Sequence, residues 1–533
     1  MKEPMLKNIL FSISSAFLLV LSFPQFDLSF LAWIALTPLL AVLATSGPKR
    51  GFLFSLLCGI IFFSGIFHWI LEVPRYRLLH HGILGLYLGF YFGLFGLAFS
   101  GVCVRLGLTT ALIAAPFFWV SLEFLRSNLW FLALPWGLLA HSQHHHPVFI
   151  QTASVTGTYG VSFLIVLVNS ALTAVGDGVL SRFKNHATAF DRTPFPKART
   201  WAVAIAGGIW IISLIYSQVM ISRPFDGQAA KVAVVQPNIP QNKKWNRKYA
   251  DFIMQTYADL TEHAAAEQPA LIIWPESATP AAINQNMKVK RQVEHIVRSA
   301  ETYLLLGSCE QQKFGQRRSK KIIYKNSAFL ISAKNRPAKR QRYQKIRLLP
   351  FGEYLPLKKT IPWSMINVPD IERSVPGNKY TVFEHPAFRF GVTICWENIF
   401  PEMVRQYVLR GAEVIVNITN EAWFGKTAAP YQFVSMSVFR AVENRIYVAR
   451  SANTGISCLI DPYGRIVDRV RNARGDDTFV RGNLIGYVIP MTSKTFYTRY
   501  GDWPVWVCTV FSVVFILLAL FKGSRFKGSE VQG

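Results

Sequence analysis

Three apolar runs in this sequence end on residues whose side chains could do chemistry together. Leu271-Ile-Ile-Trp274 leads through Pro275 to Glu276. Tyr343-Gln leads to Lys345, with Pro350-Phe-Gly-Glu353 close behind, and Phe388-Arg-Phe-Gly-Val-Thr-Ile394 leads to Cys395, followed by Trp396 and Glu397. A carboxylate, an amine and a thiol are the groups that acyl transfer through a thioester needs. Cys395 would attack a carbonyl carbon, Glu276 would take the thiol proton, and Lys345 would stabilise the developing oxyanion. No histidine stands in these segments, which excludes a papain-like dyad and leaves the carboxylate as base. Each residue also has a plain structural role open to it: Glu276 as a helix cap, Lys345 as part of a basic stretch, Glu353 and Glu397 as ion-pair partners, Cys395 as a small buried hydrophobe. The ordered combination is what favours chemistry.

The elements that must position these groups read as a soluble α/β block. Short runs at Val232–Val235, Leu271–Trp274, Tyr303–Leu306, Phe329–Ile331 and Val414–Asn417 alternate with helical patterns over 247–266 and 287–301, and α/β proteins keep their sites at the ends of such strands. Asn398-Ile-Phe-Pro-Glu-Met-Val-Arg405 reads as the start of a helix, so Cys395 is expected on a strand-to-helix turn. The partial positive charge of a helix N-terminus there would favour thiolate. The basic segments Arg317–Lys321 and Lys334–Arg347 read as a solvated loop or hairpin face.

Composition says that this block is only part of the chain. Over 533 residues, 51% are hydrophobic and 16% charged, which is membrane-like. The net charge of +27 coexists with long uncharged stretches and no aromatic-basic signature, so anionic lipid headgroups are a better counter-charge than nucleic acid. Six cysteines without a C-x-x-C indicate neither a zinc site nor a disulfide framework. Stretches long enough to cross about 30 Å of hydrocarbon fall near 9–23, 28–45, 51–71, 83–104, 109–125, 154–176, 201–221 and 503–521. The first two are short, and Pro24–Asp27 between them marks a hairpin or a single broken helix.

With about eight spans, both termini share a face. Lys2, Lys7, Lys49, Arg50, Arg105, the loop with Arg182, Lys184, Arg192, Lys197 and Arg199, and the tail with Lys522, Arg525 and Lys527 all fall on it, while Arg75 and Arg77 oppose. By the positive-inside rule that face is cytoplasmic. The expected organisation is a membrane domain over 1–226 with about seven spans, an extracytoplasmic catalytic domain over 227–490, and a final span with a basic tail over 491–533. Within the membrane part, Glu123 and Arg126 at i,i+3 are expected to pair with each other. His141, His144, His145 and His146 invite a metal reading, but consecutive histidines diverge and no nearby carboxylate completes a set, so no metal is expected.

Trp274-Pro-Glu276, Lys345 with Leu349-Pro-Phe-Gly-Glu353, Ile394-Cys-Trp-Glu397 and Asn420-Glu-Ala-Trp-Phe-Gly425 resemble the nitrilase, or carbon-nitrogen hydrolase, superfamily. The more particular resemblance is to the bacterial apolipoprotein N-acyltransferases. It is carried further by Gln236-Pro-Asn-Ile239, Lys244-Trp245, Glu123-Phe-Leu-Arg126, Pro135-Trp136, Ser142-Gln143, Arg440-Ala-Val-Glu443 and Arg450–Gly455. The resemblance implies a multi-pass α-helical membrane bundle joined to an α/β nitrilase-like domain, an αββα sandwich. It implies a catalytic triad of Glu276, Lys345 and Cys395, with Glu353, Trp245, Trp396, Glu397 and Asn326 supporting the site or binding substrate. Trp396 stands where tyrosine is common, and Glu421 where aspartate is common.

The implied reaction is N-acylation of the α-amino group of a diacylglyceryl-cysteine at an apolipoprotein N-terminus. A membrane phospholipid would be the acyl donor, a Cys395 thioester the intermediate, and no cofactor would be needed. The implied setting is the bacterial inner membrane, with the catalytic domain on the periplasmic side of a monomer. The alternatives are a membrane-tethered amidase that hydrolyses a small amide, and a non-catalytic scaffold that binds lipid or a partner.

Overall fold

The computed structural model describes residues 2–183, 197–314, 321–332, 341–366 and 374–529. Of the basic positions weighed above, Lys184, Arg192, Arg317–Lys320 and Lys334–Arg340 lie outside them. The chain forms two compact units. One comprises Met1–Leu71, Tyr76–Arg223 and Tyr500–Gly533; the other comprises Glu72–Arg75 and Pro224–Arg499. These divisions fall at 223/224 and 499/500, where the sequence expectation draws 226/227 and 490/491.

The first unit is helical: α1 (Lys2–Leu21), α2 (Thr37–Thr45), α3 (Pro48–Ile66), α4 (Leu78–Leu106), α5 (Leu108–Asn128), the single turn α6 (Pro147–Ile150), α7 (Ala153–Phe183) and α8 (Lys197–Ile221). Six of the chain's described helices are long and apolar enough to cross a membrane: Pro48–Ile66, Leu78–Leu106, Leu108–Asn128, Ala153–Asp177, Lys197–Ile221 and Trp503–Lys522. The first two expected spans correspond to shorter apolar helices, Met5–Leu21 and Ser29–Thr45. They are separate elements, and the second is itself broken into a 3₁₀ turn, Ser29–Trp33, and α2. A break in apolar surroundings needs its freed backbone groups satisfied. Asn169 of α7 does this, its Oδ1 accepting from the Leu36 N–H at 2.8 Å and its Nδ2 donating to the Ala32 carbonyl at 3.0 Å. Small residues let α3 and α4 approach closely. A Cβ on Gly59 would stand 2.7 Å from Phe92 Cβ and 2.8 Å from Gly89 Cα.

The second unit is built on two six-stranded sheets. In chain order its strands are β1 (Ala230–Gln236), β2 (Leu271–Ile273), β3 (Tyr303–Phe314), β4 (Lys321–Ser332), β5 (Gln341–Gln344), β6 (Val382–Glu384), β7 (Arg389–Ile394), β8 (Val414–Thr419), β9 (Tyr447–Ala452), β10 (Cys458–Ile460), β11 (Ile466–Arg469) and β12 (Gly482–Val488). Its helices are α9 (Gln241–Lys244), α10 (Ala250–Ala265), α11 (Met287–Ala300), α12 (Pro401–Leu409), α13 (Ala429–Asn444) and α14 (Phe496–Tyr500); α15 (Trp503–Ser529) follows.

The sheet orders are β12-β1-β2-β3-β4-β5 and β11-β10-β9-β8-β7-β6. Read from β12 and from β6, both sheets show the same succession of antiparallel, parallel, parallel, antiparallel and antiparallel pairs. The central strands β2 and β8 are buried along their whole length, as parallel strands covered on both faces must be.

Helices α10 and α11 cover one sheet, and α12 and α13 the other. Trp274 shows why the first cover holds. It is fully buried, stacks on Tyr257 of α10 with centroids 4.4 Å apart, and donates its indole N–H to Thr261 Oγ1 at 3.0 Å. The large apolar area is buried without orphaning the one polar atom. Between the sheets, Ser451 Oγ of β9 lies 2.9 Å from the Val235 carbonyl and 3.2 Å from that of Ile273, tying one sheet to the ends of β1 and β2.

Candidate functional site

Glu276 follows β2 on a tight turn in which Ser277 adopts a left-handed φ of 49°. Gly307 of β3 makes that turn possible, because a Cβ there would lie 2.7 Å from both Glu276 Cα and the Pro275 carbonyl. The Glu276 carboxylate is buried, with Oε1 accepting from Asn326 Nδ2 at 2.7 Å and Oε2 from the Asn420 N–H at 2.9 Å. Asn326 lies on β4, and its carbonyl accepts from the Lys345 N–H at 2.9 Å. That bond continues the β4–β5 pairing by one step and aims Lys345.

The Lys345 ammonium is 2% exposed. Its Nζ lies 3.0 and 2.9 Å from the two carboxylate oxygens of Glu353, and 3.9 Å from Glu276 Oε1. Burial works against its charge, but the negative charges of Glu353 and Glu276 overcome it and hold the ammonium well above the ordinary lysine value. Glu353 is fixed in turn by the Leu349 N–H, 2.7 Å from its Oε2.

Cys395 directly follows β7 and is partly exposed, with a left-handed φ of 57°. For a residue with a Cβ this conformation costs on the order of 1 kcal/mol, and it persists because the next side chains anchor the turn. Glu397 does most of this. Its Oε2 accepts from the Ile394 N–H at 2.8 Å, while Oε1 accepts from Tyr343 Oη at 2.8 Å and from the backbone N–H groups of Ile346 and Arg347 at 2.7 and 3.0 Å. One carboxylate thus staples the end of β7 to the segment bearing Lys345. Burial pushes the Glu397 carboxyl up to about 7 against the opposing pull of Lys345 and these donors.

The expected helix does not begin at Asn398. Cys395–Ile399 is a 3₁₀ turn, and α12 starts at Pro401, a residue suited to the first helical turn. The thiolate preference read from a helix N-terminus is therefore not what the surroundings produce. Burial and the Glu276 carboxylate push the Cys395 thiol well above its ordinary value, with Lys345 opposing. The thiol holds its proton at rest and needs a base.

The remaining expected residues divide. Trp396 is buried and donates its indole N–H to the Arg347 carbonyl at 2.7 Å. Trp245, at the end of α9, is 50% exposed. Its neighbour Lys244 was read only as part of a motif, yet it is buried and donates to the Glu276 carbonyl at 3.0 Å. Burial pulls the Lys244 ammonium down to about 8. No signal in the sequence separates it from the surrounding basic residues. Glu421, the departure from aspartate, forms a fully buried ion pair with Arg450. Gly455 leaves room for the longer arm, since a Cβ there would run into the Glu421 carboxylate.

In the helical unit, Glu123 and Arg126 do not form the expected ion pair, and each binds the 134–139 loop. Glu123 Oε1 accepts from the Leu139 N–H at 2.8 Å and from Trp119 Nε1 at 3.0 Å. Arg126 Nη1 donates to the carbonyls of Leu134 at 2.8 Å and Trp136 at 2.6 Å. Backbone groups of a non-helical segment outcompete the i,i+3 partner because they would otherwise go unsatisfied.

These charges fix the direction in which two substitutions move the thiol. The pH midpoint for alkylation of Cys395 by iodoacetamide, followed on its own peptide by mass spectrometry, is expected well above the ordinary thiol value. Glu276→Gln should lower that midpoint and Lys345→Met should raise it. Midpoints that coincide in all three proteins would contradict this electrostatic arrangement.

Residues 15–171 match the apolipoprotein N-acyltransferase N-terminal domain family, and residues 231–480 match the carbon-nitrogen hydrolase family. Among similar proteins, the apolipoprotein N-acyltransferase of Geobacter metallireducens is 35% identical over 97% of this chain and 96% of its own length. That of Rickettsia prowazekii is 30% identical over 75% of this chain and 74% of its own. The apolipoprotein N-acyltransferase 1 of Treponema denticola is 26% identical over 98% of each chain. Helices able to cross a membrane, a carbon-nitrogen hydrolase domain and likeness along nearly the whole length meet in one conclusion: the chain is an integral membrane protein of the apolipoprotein N-acyltransferase family, a family of acyltransferases.

Proposed function

We propose that this protein moves an acyl chain from a membrane phospholipid to the α-amino group of a diacylglyceryl-cysteine at a lipoprotein N-terminus, through a thioester on Cys395. The observation that carries the reading is the convergence of Glu276, Lys345 and Cys395 in a chain that also supplies six helices able to cross a membrane. Both substrates are lipids, and a soluble amidase has no need of such helices.

In the first half-reaction Cys395 Sγ bonds to the ester carbonyl carbon. Glu276 takes the thiol proton, the carbon–oxygen bond breaks, and the proton passes to the departing lysophospholipid oxygen. Lys345, its charge secured by Glu353, stabilises the tetrahedral oxyanion; the loss of one such donor typically costs about 10²–10³ in rate. In the second half the acceptor ammonium releases one proton to water, its neutral nitrogen attacks the thioester while Glu276 takes the second proton from that nitrogen, and the carbon–sulfur bond breaks. The thiolate recovers the proton. Glu353 and Asn326 act by holding Lys345 and Glu276, and Glu397 by fixing the turn that carries Cys395.

The catalytic unit is assigned to the periplasmic side of the inner membrane, an orientation supported by the lysines and arginines on the loops of the opposite face. A periplasm-dependent reporter inserted near Leu330 is expected to be active, and activity of a cytoplasm-dependent reporter alone would reverse the orientation.

The reaction is tested with the purified chain in vesicles of labelled phospholipid and a synthetic peptide bearing an N-terminal diacylglyceryl-cysteine. Amide and lysophospholipid should appear in equal amounts. Cys395→Ala should abolish both, and Lys345→Met and Glu276→Gln should each lower the rate by at least ~10². Hydrolysis of small amides with no acylated peptide would reject the acyltransferase reading and favour a tethered amidase.

A further inference from the structure

Two loops of the helical unit converge on a cluster that the acyl-transfer chemistry does not use. Asp27 lies in the turn after α1, with a left-handed φ of 54°. His144 and His145 follow the 3₁₀ turn Leu139–Gln143. The loops are clamped beside the cluster by three contacts: Gln143 Nε2 donates to the Ser29 carbonyl at 2.8 Å, Trp33 Nε1 donates to Gln143 Oε1 at 3.0 Å, and His146 Nε2 lies 2.7 Å from Ser29 Oγ.

Within this frame Asp27 Oδ1 is 3.9 Å from His144 Nε2, and Asp27 Oδ2 is 3.7 Å from His145 Nε2. One donor atom from each of the three residues lies within 4.8 Å of the others. The sequence gives no carboxylate near the histidines, and consecutive side chains ordinarily diverge. Here the chain turns after His144 so that the His144 and His145 rings lie with centroids 3.8 Å apart, and the fold brings Asp27 across from the far end of the unit's sequence.

The hydrogen bonds set what these atoms can do. His144 is 3% exposed, and its Nδ1 lies 3.1 Å from the His141 carbonyl. A carbonyl only accepts, so Nδ1 carries the proton, and in the neutral ring Nε2 presents a bare lone pair. That backbone bond is the usual orienting partner of a metal-binding imidazole. Asp27 Oδ1 is buried and makes no hydrogen bond. An imidazole lone pair and a carboxylate oxygen therefore face each other across a gap, an arrangement that a cation between them would satisfy.

We propose that Asp27, His144 and His145 bind one divalent cation of the zinc class, which pins the turn after α1 to the 139–146 loop. Two imidazoles and a carboxylate are a suitable donor set for such an ion. Tetrahedral Zn²⁺ sets neighbouring ligand atoms roughly 3.3 Å apart, so the 3.9 Å between Asp27 Oδ1 and His144 Nε2 closes by roughly half an ångström, and the half-exposed His145 ring, whose ligand atom already lies within 4.8 Å of the other two, has room to swing in. A fourth position remains for water. His146 stands outside the set because its Nε2 faces Ser29.

The test uses the full chain purified without a polyhistidine tag, stripped with EDTA and titrated with Co²⁺ as the spectroscopic probe. One Co²⁺ per chain is expected, with ligand-field absorption that Zn²⁺ abolishes by displacement. Asp27→Asn keeps the side-chain shape and His145→Ala removes a half-exposed ring; each should weaken binding at least ~10-fold. His80→Ala should bind as the unaltered chain does. Thermal unfolding in EDTA separates ligand loss from misfolding, since Asp27→Asn, His145→Ala and the parent should then melt alike, while Zn²⁺ should raise the melting temperature of the parent and of His80→Ala well above that of Asp27→Asn and His145→Ala. Absence of stoichiometric Co²⁺ binding, or binding unchanged in both Asp27→Asn and His145→Ala, overturns the proposal.

Discussion

Lys345 carries its ammonium where water reaches it poorly, and the arrangement of the site follows from keeping that charge. An isolated buried ammonium would lose its proton. Glu353 prevents this through two close contacts, and Glu276 adds a longer one. Those carboxylates then need partners of their own, which explains why Asn326 reaches both, why the Leu349 N–H faces Glu353, and why the Asn420 N–H faces Glu276. Burial, reinforced by the same negative charges, raises the Cys395 thiol, so the site at rest holds a proton on sulfur and a positive charge beside it. In the proposed reaction such a thiol stays idle until a carbonyl is presented and Glu276 takes its proton.

The scaffold holds these groups through strand ends rather than through a helix dipole. Glu276, Cys395 and Asn420 follow β2, β7 and β8, and Lys345 follows β5. Glu397 joins two of these ends with one carboxylate, and Ser451 joins the two sheets beneath them. The left-handed backbone at Cys395 is thus held by neighbours on both sides.

Much of this was legible in the chain because the reactive residues sit directly after apolar runs, and a run followed by Pro-Glu or by Cys-Trp-Glu marks a strand end with chemistry on it. Helix α12 starts at Pro401, three residues beyond the start that Asn398 suggests, and proline at a first helical turn is itself the marker. Other features depend on contacts between distant segments. Glu397 is ordinary until Tyr343, Ile346 and Arg347 are brought to it, and Lys244 is one basic residue among several until the fold buries it against Glu276. Trp245, read from its motif, stands half-exposed at a helix end. Asp27 lies too far along the chain from His144 for any spacing rule to join them.

In the helical unit the same rule, that no polar backbone group goes unsatisfied, decides where charged and amide side chains settle. Asn169 bridges the broken second span, and Glu123 and Arg126 secure the 134–139 loop instead of each other. The central claim, that Cys395 carries the acyl group as a thioester, has one most direct test. Intact and peptide mass spectrometry of the purified protein, incubated with a single defined phospholipid and no acceptor, should show the mass of one acyl chain on Cys395, and that mass should vanish when a diacylglyceryl-cysteine peptide is added. Continued turnover with Cys395 unmodified, or acylated peptide formed by Cys395→Ala, would contradict it.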